Sequence, residues 1–283
     1  FFPALEAFNF LLETGASWSN FVDAKIWREK TNIRLKNYEL AIENLRPLAR
    51  KLIPKNKYFS IANATVADAF MKLKKEDSTL YYIKRAAKNE SKKMLKARYL
   101  FLTGQLFESV NEKDSAQWAY KQIIDLNRKA PRKFFVQALV KQNLLDTSLA
   151  YSYHVVSLEK MLKNYENDPY EHFIYRALAE LYFKQKKDSI GLSYLENSLK
   201  SVSLDSYTKI ENLKFLADHH LKKGNYVVSG GFLDKLLSIY EKSSTQYKRA
   251  KRKRENLNEV ILYENTAQNT DSIIKLALLD IDE

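Results

Sequence analysis

The sequence predicts an all-helical chain of stacked helical hairpins, a solenoid that ends in a long C-terminal helical segment. Three observations carry this. Glycine (6) and proline (5) are scarce in 283 residues, whereas sheets joined by tight turns need more of both. Hydrophobic residues make up 45% and charged residues 29%, the balance of a folded chain and not of a disordered one. A frame of small and aromatic residues recurs at a period near 37, and self-similarity at 20 to 50 residues marks repeat architectures.

The frame is clearest between Ala97 and Arg128. Gly104 is followed by Phe107, then Ala116, Tyr120 and Ile123. Two antiparallel helices approach closely only where one backbone meets a small side chain, and an aromatic one turn on fills the groove beside it. This is the tetratricopeptide pattern: small and aromatic on helix A, then small, aromatic and apolar on helix B. Ala67, Phe70, Thr79, Ile83 and Ala86 repeat it, as do Ala217, Gly224, Ser229, Leu233 and Leu236. Another copy reads Ala179, Tyr182, Ile190 and Tyr194, with one residue fewer in its turn, and a looser one Ile26, Ile33, Ala41, Leu45 and Leu48. The helix-B small positions fall at Ala4, Ala41, Thr79, Ala116, Ile190 and Ser229, spaced by 37, 38, 37, 74 and 39. The double interval implies a repeat between Arg132 and Asn164 whose register the sequence leaves open. Stacked copies predict a right-handed superhelix.

The turns agree with the frame. Asp77-Ser78, Asp114-Ser115 and Asp188-Ser189 each precede a helix B, where side-chain oxygens can cap free amides. Phe1 to Leu12 reads as a helix B with no helix A before it, so the array, residues 1–243, is expected to start mid-repeat. Phe1 is not methionine, and a longer parent chain is expected. Residues 244–283 form the basic C-terminal segment. Within it Thr245 to Leu279 reads as long charged helix, with a break expected near Asn269-Thr270-Asp271.

Composition narrows the chemistry. Cysteine is absent, which removes disulfides, thiolate metal sites and cysteine nucleophiles from this segment. No apolar run approaches the 18 residues of a membrane-crossing helix, and no secretory leader pattern is present. There is no glycine-rich phosphate loop and no GxSxG elbow. Adjacent His219 and His220 do not share a helix face. The reading therefore expects no catalytic, cofactor-binding or metal-ligating residues, and a chain that works by holding proteins.

Two groups of residues are candidates for that work. The net charge is +13, and six cations crowd one stretch: Lys248, Arg249, Lys251, Arg252, Lys253 and Arg254. A continuous run scatters around a helix, and no aromatic platform interleaves it as single-strand binders require. An acidic protein surface suits it better than nucleic acid. The second group is the inner face of helix A, the usual ligand surface of such arrays. The frame puts Arg98, Phe101, Arg176 and Phe183 there. The Lys, Arg and Asn set of a C-terminal-carboxylate clamp is not found.

Several stretches go beyond the repeat. Phe2-Pro3-Ala4-Leu5-Glu6-Ala7-Phe8-Asn9, Ala24-Lys25-Ile26-Trp27-Arg28-Glu29-Lys30-Thr31-Asn32 and Ala62-Asn63-Ala64-Thr65 resemble the SprE/PorW family of Bacteroidetes. So do Ile124 to Arg132, Tyr247-Lys248-Arg249-Ala250-Lys251-Arg252-Lys253-Arg254-Glu255-Asn256-Leu257 and Ala267-Gln268-Asn269-Thr270-Asp271-Ser272-Ile273. The resemblance spans nearly the whole chain and is weakest from Lys133 to Tyr165. It implies a tetratricopeptide lipoprotein of the type IX secretion system and gliding motility. Such a protein is periplasmic, held to the outer membrane by a lipidated cysteine upstream of Phe1. It links the outer-membrane translocon to the periplasmic ring as a non-catalytic scaffold for protein transport. No nucleic acid is expected as a partner on this reading. The alternative left open is a cytoplasmic tetratricopeptide adaptor or nucleic-acid-associated protein, for which the charge of +13 speaks.

Overall fold

A computed structural model describes residues 1–15 and 17–278 of the chain. Among them are fifteen α-helices, two short 3₁₀ turns and no strand. Leu279, the expected end of the last helix, lies outside the described residues.

The chain forms two compact units, Phe1–His154 and Val155–Glu283. The first contains α1 (Phe2–Glu13), α2 (Trp18–Arg34), α3 (Tyr38–Lys51), α4 (Phe59–Lys72), α5 (Glu76–Asn89), α6 (Lys93–Ser109), α7 (Lys113–Ile124) and α8 (Arg132–Leu145). Helix α9 (Tyr151–Leu162) begins there and ends in the second unit. That unit continues with α10 (Glu171–Lys184), α11 (Asp188–Lys200), α12 (Ser206–Lys222), α13 (Tyr226–Ile239), α14 (Thr245–Glu255) and α15 (Asn258–Ala277). Pairs α2/α3, α4/α5 and α6/α7 of the first unit are antiparallel hairpins, each packed on the next. In the second unit α10/α11 and α12/α13 are hairpins, and α14 and α15 pack on α13.

Burial follows the frame. Each helix B buries residues at x, x+4 and x+7: Ala41, Leu45, Leu48; Thr79, Ile83, Ala86; Ala116, Tyr120, Ile123; Ser229, Leu233, Leu236. This spacing is one stripe of an α-helix. Two copies needed correction. Ile190 is 43% exposed, and Gly191, Leu195 and Ser198 hold the buried positions of α11. Gly191 follows Ala179 by the same twelve residues that separate Gly104 from Ala116, so the turn is not one residue short. The open register also closes. His154 is buried, with Leu158 buried four residues later, so the packing positions run 41, 79, 116, 154, 191 and 229. A search for small residues could not find it, because the place is held by an imidazole. Ala4 is the other correction: it is exposed, and α1 rests on α2 without burying any residue fully. Helix α2 is the main neighbour of α1, and Ala4 stays exposed outside that contact.

The turns between helices A and B owe their shape to a left-handed residue, not to an aspartate cap. Lys36, Lys74, Asn111, Lys186 and Gly224 all have φ between +58° and +80°. In each turn two amides fold back on the helix, as Lys74 N–H to the Met71 carbonyl and Lys75 N–H to the Phe70 carbonyl, both 3.0 Å. This is the 6→1, 5→2 closure that satisfies orphan carbonyls at a helix end. Asp77 and Asp114 lie inside the first turn of helix B and Asp188 opens it, and the N-cap residues Lys75, Glu112 and Lys187 make no side-chain cap. The aspartates act there through the positive end of the helix dipole. Non-glycine residues strain in the left-handed region by about 1 kcal/mol. Lys74→Gly is therefore expected to stabilise the chain by up to about 1 kcal/mol. A thermal midpoint that falls instead would refute it.

The expected break in the last helix is misplaced. Helix α15 runs unbroken through Asn269-Thr270-Asp271. Thr266, Thr270 and Ser272 donate their hydroxyls to carbonyls four residues back, each at 2.8 Å. Polar side chains that bond back into their own helix do not interrupt it. The interruption lies earlier, at Asn256-Leu257, between α14 and α15.

Candidate functional site

Helices α2, α4 and α6 are the A helices of three consecutive repeats, and an open groove of about 590 Å³ lies along them. Helix α4 supplies Ile61, Ala64, Asp68 and Met71. Trp27, Lys30 and Arg34 come from α2, and Leu95, Arg98 and Leu102 from α6. Trp27 is 47% and Met71 40% exposed, a high exposure for two large apolar side chains that share one groove. The Lys30 ammonium sits 4.1 Å from the centre of the Trp27 ring, a cation–π contact. Burial pushes the Lys30 pKa down, against the pull of Asp23 and Asp68. Among the described residues no carboxylate lies within ion-pairing distance of Lys30, Arg34 or Arg98.

Of the inner-face candidates, Arg98 lines this groove and Phe101 does not. Phe101 is only 9% exposed and packs on Tyr120 and Phe134, with ring centres 5.5 and 5.7 Å away. It is a core residue, because α7 and α8 close over that side of α6. In the second unit Arg176 is spent on internal partners: Asn212 Oδ1 at 2.5 Å and Glu180 at 3.3 Å. Phe183 is half-buried against Phe215, 4.7 Å between centres, and its ring covers Gly191. Both serve packing between repeats. Trp27, Lys30 and Met71 were missed. The frame that selects Arg98 also selects Ile61, 37 residues earlier, on the same groove, so only part of the signal was present.

A polar network beside Arg176 has the residue types of a hydrolase but not its geometry. His172 Nε2 lies 3.0 Å from Asp205 Oδ2, and Ser198 is nearby. The Ser198 hydroxyl, however, donates to the His172 backbone carbonyl at 2.9 Å and accepts from Asn212 at 2.8 Å. A nucleophile must face its base, and this one faces the main chain. Burial would raise the Asp205 pKa, but hydrogen bonds from the Thr208 amide and hydroxyl and from His172 outweigh it and hold it low. Asp205 is the N-cap of α12. Among the described residues no group of three His, Cys, Asp or Glu side chains could hold a metal ion, and no helix is long and apolar enough to cross a membrane.

The basic cluster divides by helix face. Buried Ala250 marks the inward face of α14, and Leu257, in the turn that follows, is buried as well. Arg254 Nε lies 2.9 and 3.1 Å from the two Asp234 oxygens, and Lys253 Nζ 3.0 Å from Asp218. Lys251 pairs loosely with Glu255 at 3.6 Å. Lys248, Arg249 and Arg252 are exposed and have no ion-pair partner among the described residues.

Solved structures place this arrangement. A tetratricopeptide-repeat protein from Parabacteroides merdae superposes with a TM-score of 0.63 at 11% identity, over 89% of this chain and 90% of that one. Acl4, described as an assembly chaperone of RpL4, gives 0.52 at 12% identity, over 89% and 99%. The fold is that of the tetratricopeptide repeat. The Cut9–Hcn1 hetero-tetramer of the APC/C also gives 0.52, at 12% identity, over 90% of this chain and 46% of that one. No protein-family model matches the sequence, and no curated protein matches it. In this tetratricopeptide array the groove belongs to the A helices of the first unit, and the free cations of α14 belong to the second.

Proposed function

We propose that this chain is a non-catalytic scaffold that holds protein partners, and that it works in the type IX secretion apparatus between the outer-membrane translocon and the periplasmic ring. The observation that carries the scaffold reading is the groove along α2, α4 and α6, where Trp27 and Met71 stand exposed over an apolar floor. Exposed apolar surface rimmed by charge marks an interaction site. The resemblance of the Ala24–Asn32 and Tyr247–Leu257 stretches to the SprE/PorW family supports the finer reading. It brings with it a periplasmic lipoprotein anchored to the outer membrane.

The free face of α14 is a second contact surface on this reading, and it takes an acidic partner. Arg254 and Lys253 are architectural, so the test replaces Lys248, Arg249 and Arg252 by glutamate. Each rim contact contributes about 0–1 kcal/mol, and the reversal acts on all three. Tagged full-length protein is expected to co-purify with translocon and ring proteins from a gliding bacterium. The triple reversal is expected to fold normally and to recover less of them. Loss of the gene should stop secretion and gliding. Normal secretion and gliding without the gene would overturn the secretion reading. Salt-sensitive binding to nucleic acid, in place of those proteins, would favour the cytoplasmic alternative.

A further inference from the structure

We propose that the groove of the first unit takes a short peptide segment of a partner protein in which an acidic side chain is flanked by apolar ones. The inference rests on the scaffold reading and names what the groove selects. The apolar part follows from the floor: Ile61, Ala64 and Met71 of α4, with Leu95 and Leu102 beside them. The acidic part follows from the charges around that floor. Lys30 and Arg34 stand on one side and Arg98 on the other, Asp68 is the one carboxylate among the lining residues, and Asp23 acts on Lys30 from outside the groove. None of the three cations has an ion-pair partner among the described residues.

The cavity's size limits the occupant. About 590 Å³ accepts a few side chains of a segment, not a folded surface. A polyanion fits badly, because Asp68 lies on the floor and the face of the Trp27 ring is already covered by Lys30. A side-chain carboxylate fits better than a chain terminus. A terminal carboxylate needs neutral amide donors beside its cations, and the asparagine of α4, Asn63, is buried and donates to the Phe59 carbonyl at 2.8 Å. A partly desolvated cation gains more from an incoming carboxylate than a fully hydrated one does. Lys30, half-buried over the Trp27 ring, is the cation that meets this condition.

The test passes a mixed library of nonapeptides, acetylated and amidated at their ends, over the full chain and sequences the retained pool. The expected pool is enriched in aspartate or glutamate with leucine, isoleucine, valine or phenylalanine on both sides. The Lys30→Glu/Arg98→Glu variant should bind individual members of that pool about tenfold more weakly. Its own retained pool should lose the acidic preference. Trp27→Ala keeps the charge and should lose apolar selection while retaining the acidic one. Helical circular dichroism and urea midpoints equal to the parent's establish that the variants fold. A pool with no acidic preference, an acidic preference unchanged in the double variant, or no retained peptide at all would overturn the proposal. The scaffold reading has its own test, the recovery of partners by tagged full-length protein. If Lys30→Glu/Arg98→Glu protein still recovers the secretion partners in full, the scaffold stands and the groove is not where it holds them.

Discussion

Gly104→Leu is expected to destabilise the first unit by about 2 kcal/mol, which moves the urea midpoint down by roughly 1 M for a slope near 2 kcal/mol/M. The reason is the ring opposite. A Cβ at position 104 would stand 2.6 Å from two atoms of the Tyr120 ring. Tyr120 cannot step aside. It is wholly buried, its ring packs against Phe101, and its hydroxyl donates to Glu108, which also accepts from Lys141 at 2.9 Å. Burial, and then that carboxylate, push the Tyr120 pKa far up, so the phenol keeps its proton at any pH the fold tolerates. Overpacking a site pinned at both ends costs about 3 kcal/mol. Replacing a helical glycine returns about 1 kcal/mol of propensity, which does not offset it. Gly231→Ala is the control with the opposite sign. That glycine is exposed inside α13 with nothing within 4 Å of its added Cβ, so only the propensity gain of up to about 1 kcal/mol remains. Equal shifts in the two variants would show that the Gly104–Tyr120 approach does not limit packing.

Arg28→Met is expected to cost about 3 kcal/mol, and Glu29→Gln added to it to recover most of that. Glu29 has no exposed surface, yet it occupies the helix-A place filled by Ala67, Gly104, Ala179 and Ala217 in other repeats. Its carboxylate accepts from Arg28 Nε at 2.7 Å and from Asn32 Nδ2 at 2.6 Å. Removing the arginine leaves a buried charge with one neutral donor, and breaking a buried pair costs about 3–5 kcal/mol. The lower end applies because the Arg28 side chain is 20% exposed and water can reach the vacated place. Glutamine removes the charge while its carbonyl still serves Asn32. The comparison of midpoints decides between charge and packing. A double variant no more stable than Arg28→Met alone would mean that arginine acts through its stem and through Asn9 of α1, 3.4 Å away.

Much of the fold was legible because repeat packing leaves a local trace. Ala67 and Thr79, Gly104 and Ala116, and Ala217 and Ser229 are twelve residues apart, and a helix–turn–helix of fixed length can be read from that spacing alone. The trace failed where the packing residue was of an unexpected kind. His154 is too large to count as small, and Gly191 was passed over for its apolar neighbour Ile190. The turns misled for another reason. Aspartate near a helix start suggests a cap, but Lys36, Lys74 and Lys186 show that the backbone closes these turns by a left-handed step that lysine does not announce.

The candidate site was half legible. Arg98 follows from the frame, since a residue six before the small position faces the groove. Phe101 has the same kind of address but is covered by α7 and α8, and no local pattern reports what packs on it. The basic run was visible as six cations, while its division was not. Arg254 and Lys253 are tied down because Asp234 and Asp218, far back in the chain, come to lie beside α14. By itself the sequence determined the helical class, the period and most of the core, because these depend on contacts between residues a fixed distance apart. The tertiary structure alone decided which charges stay free and which aromatics stay exposed. Those depend on how much surface is left after neighbouring helices have covered the rest.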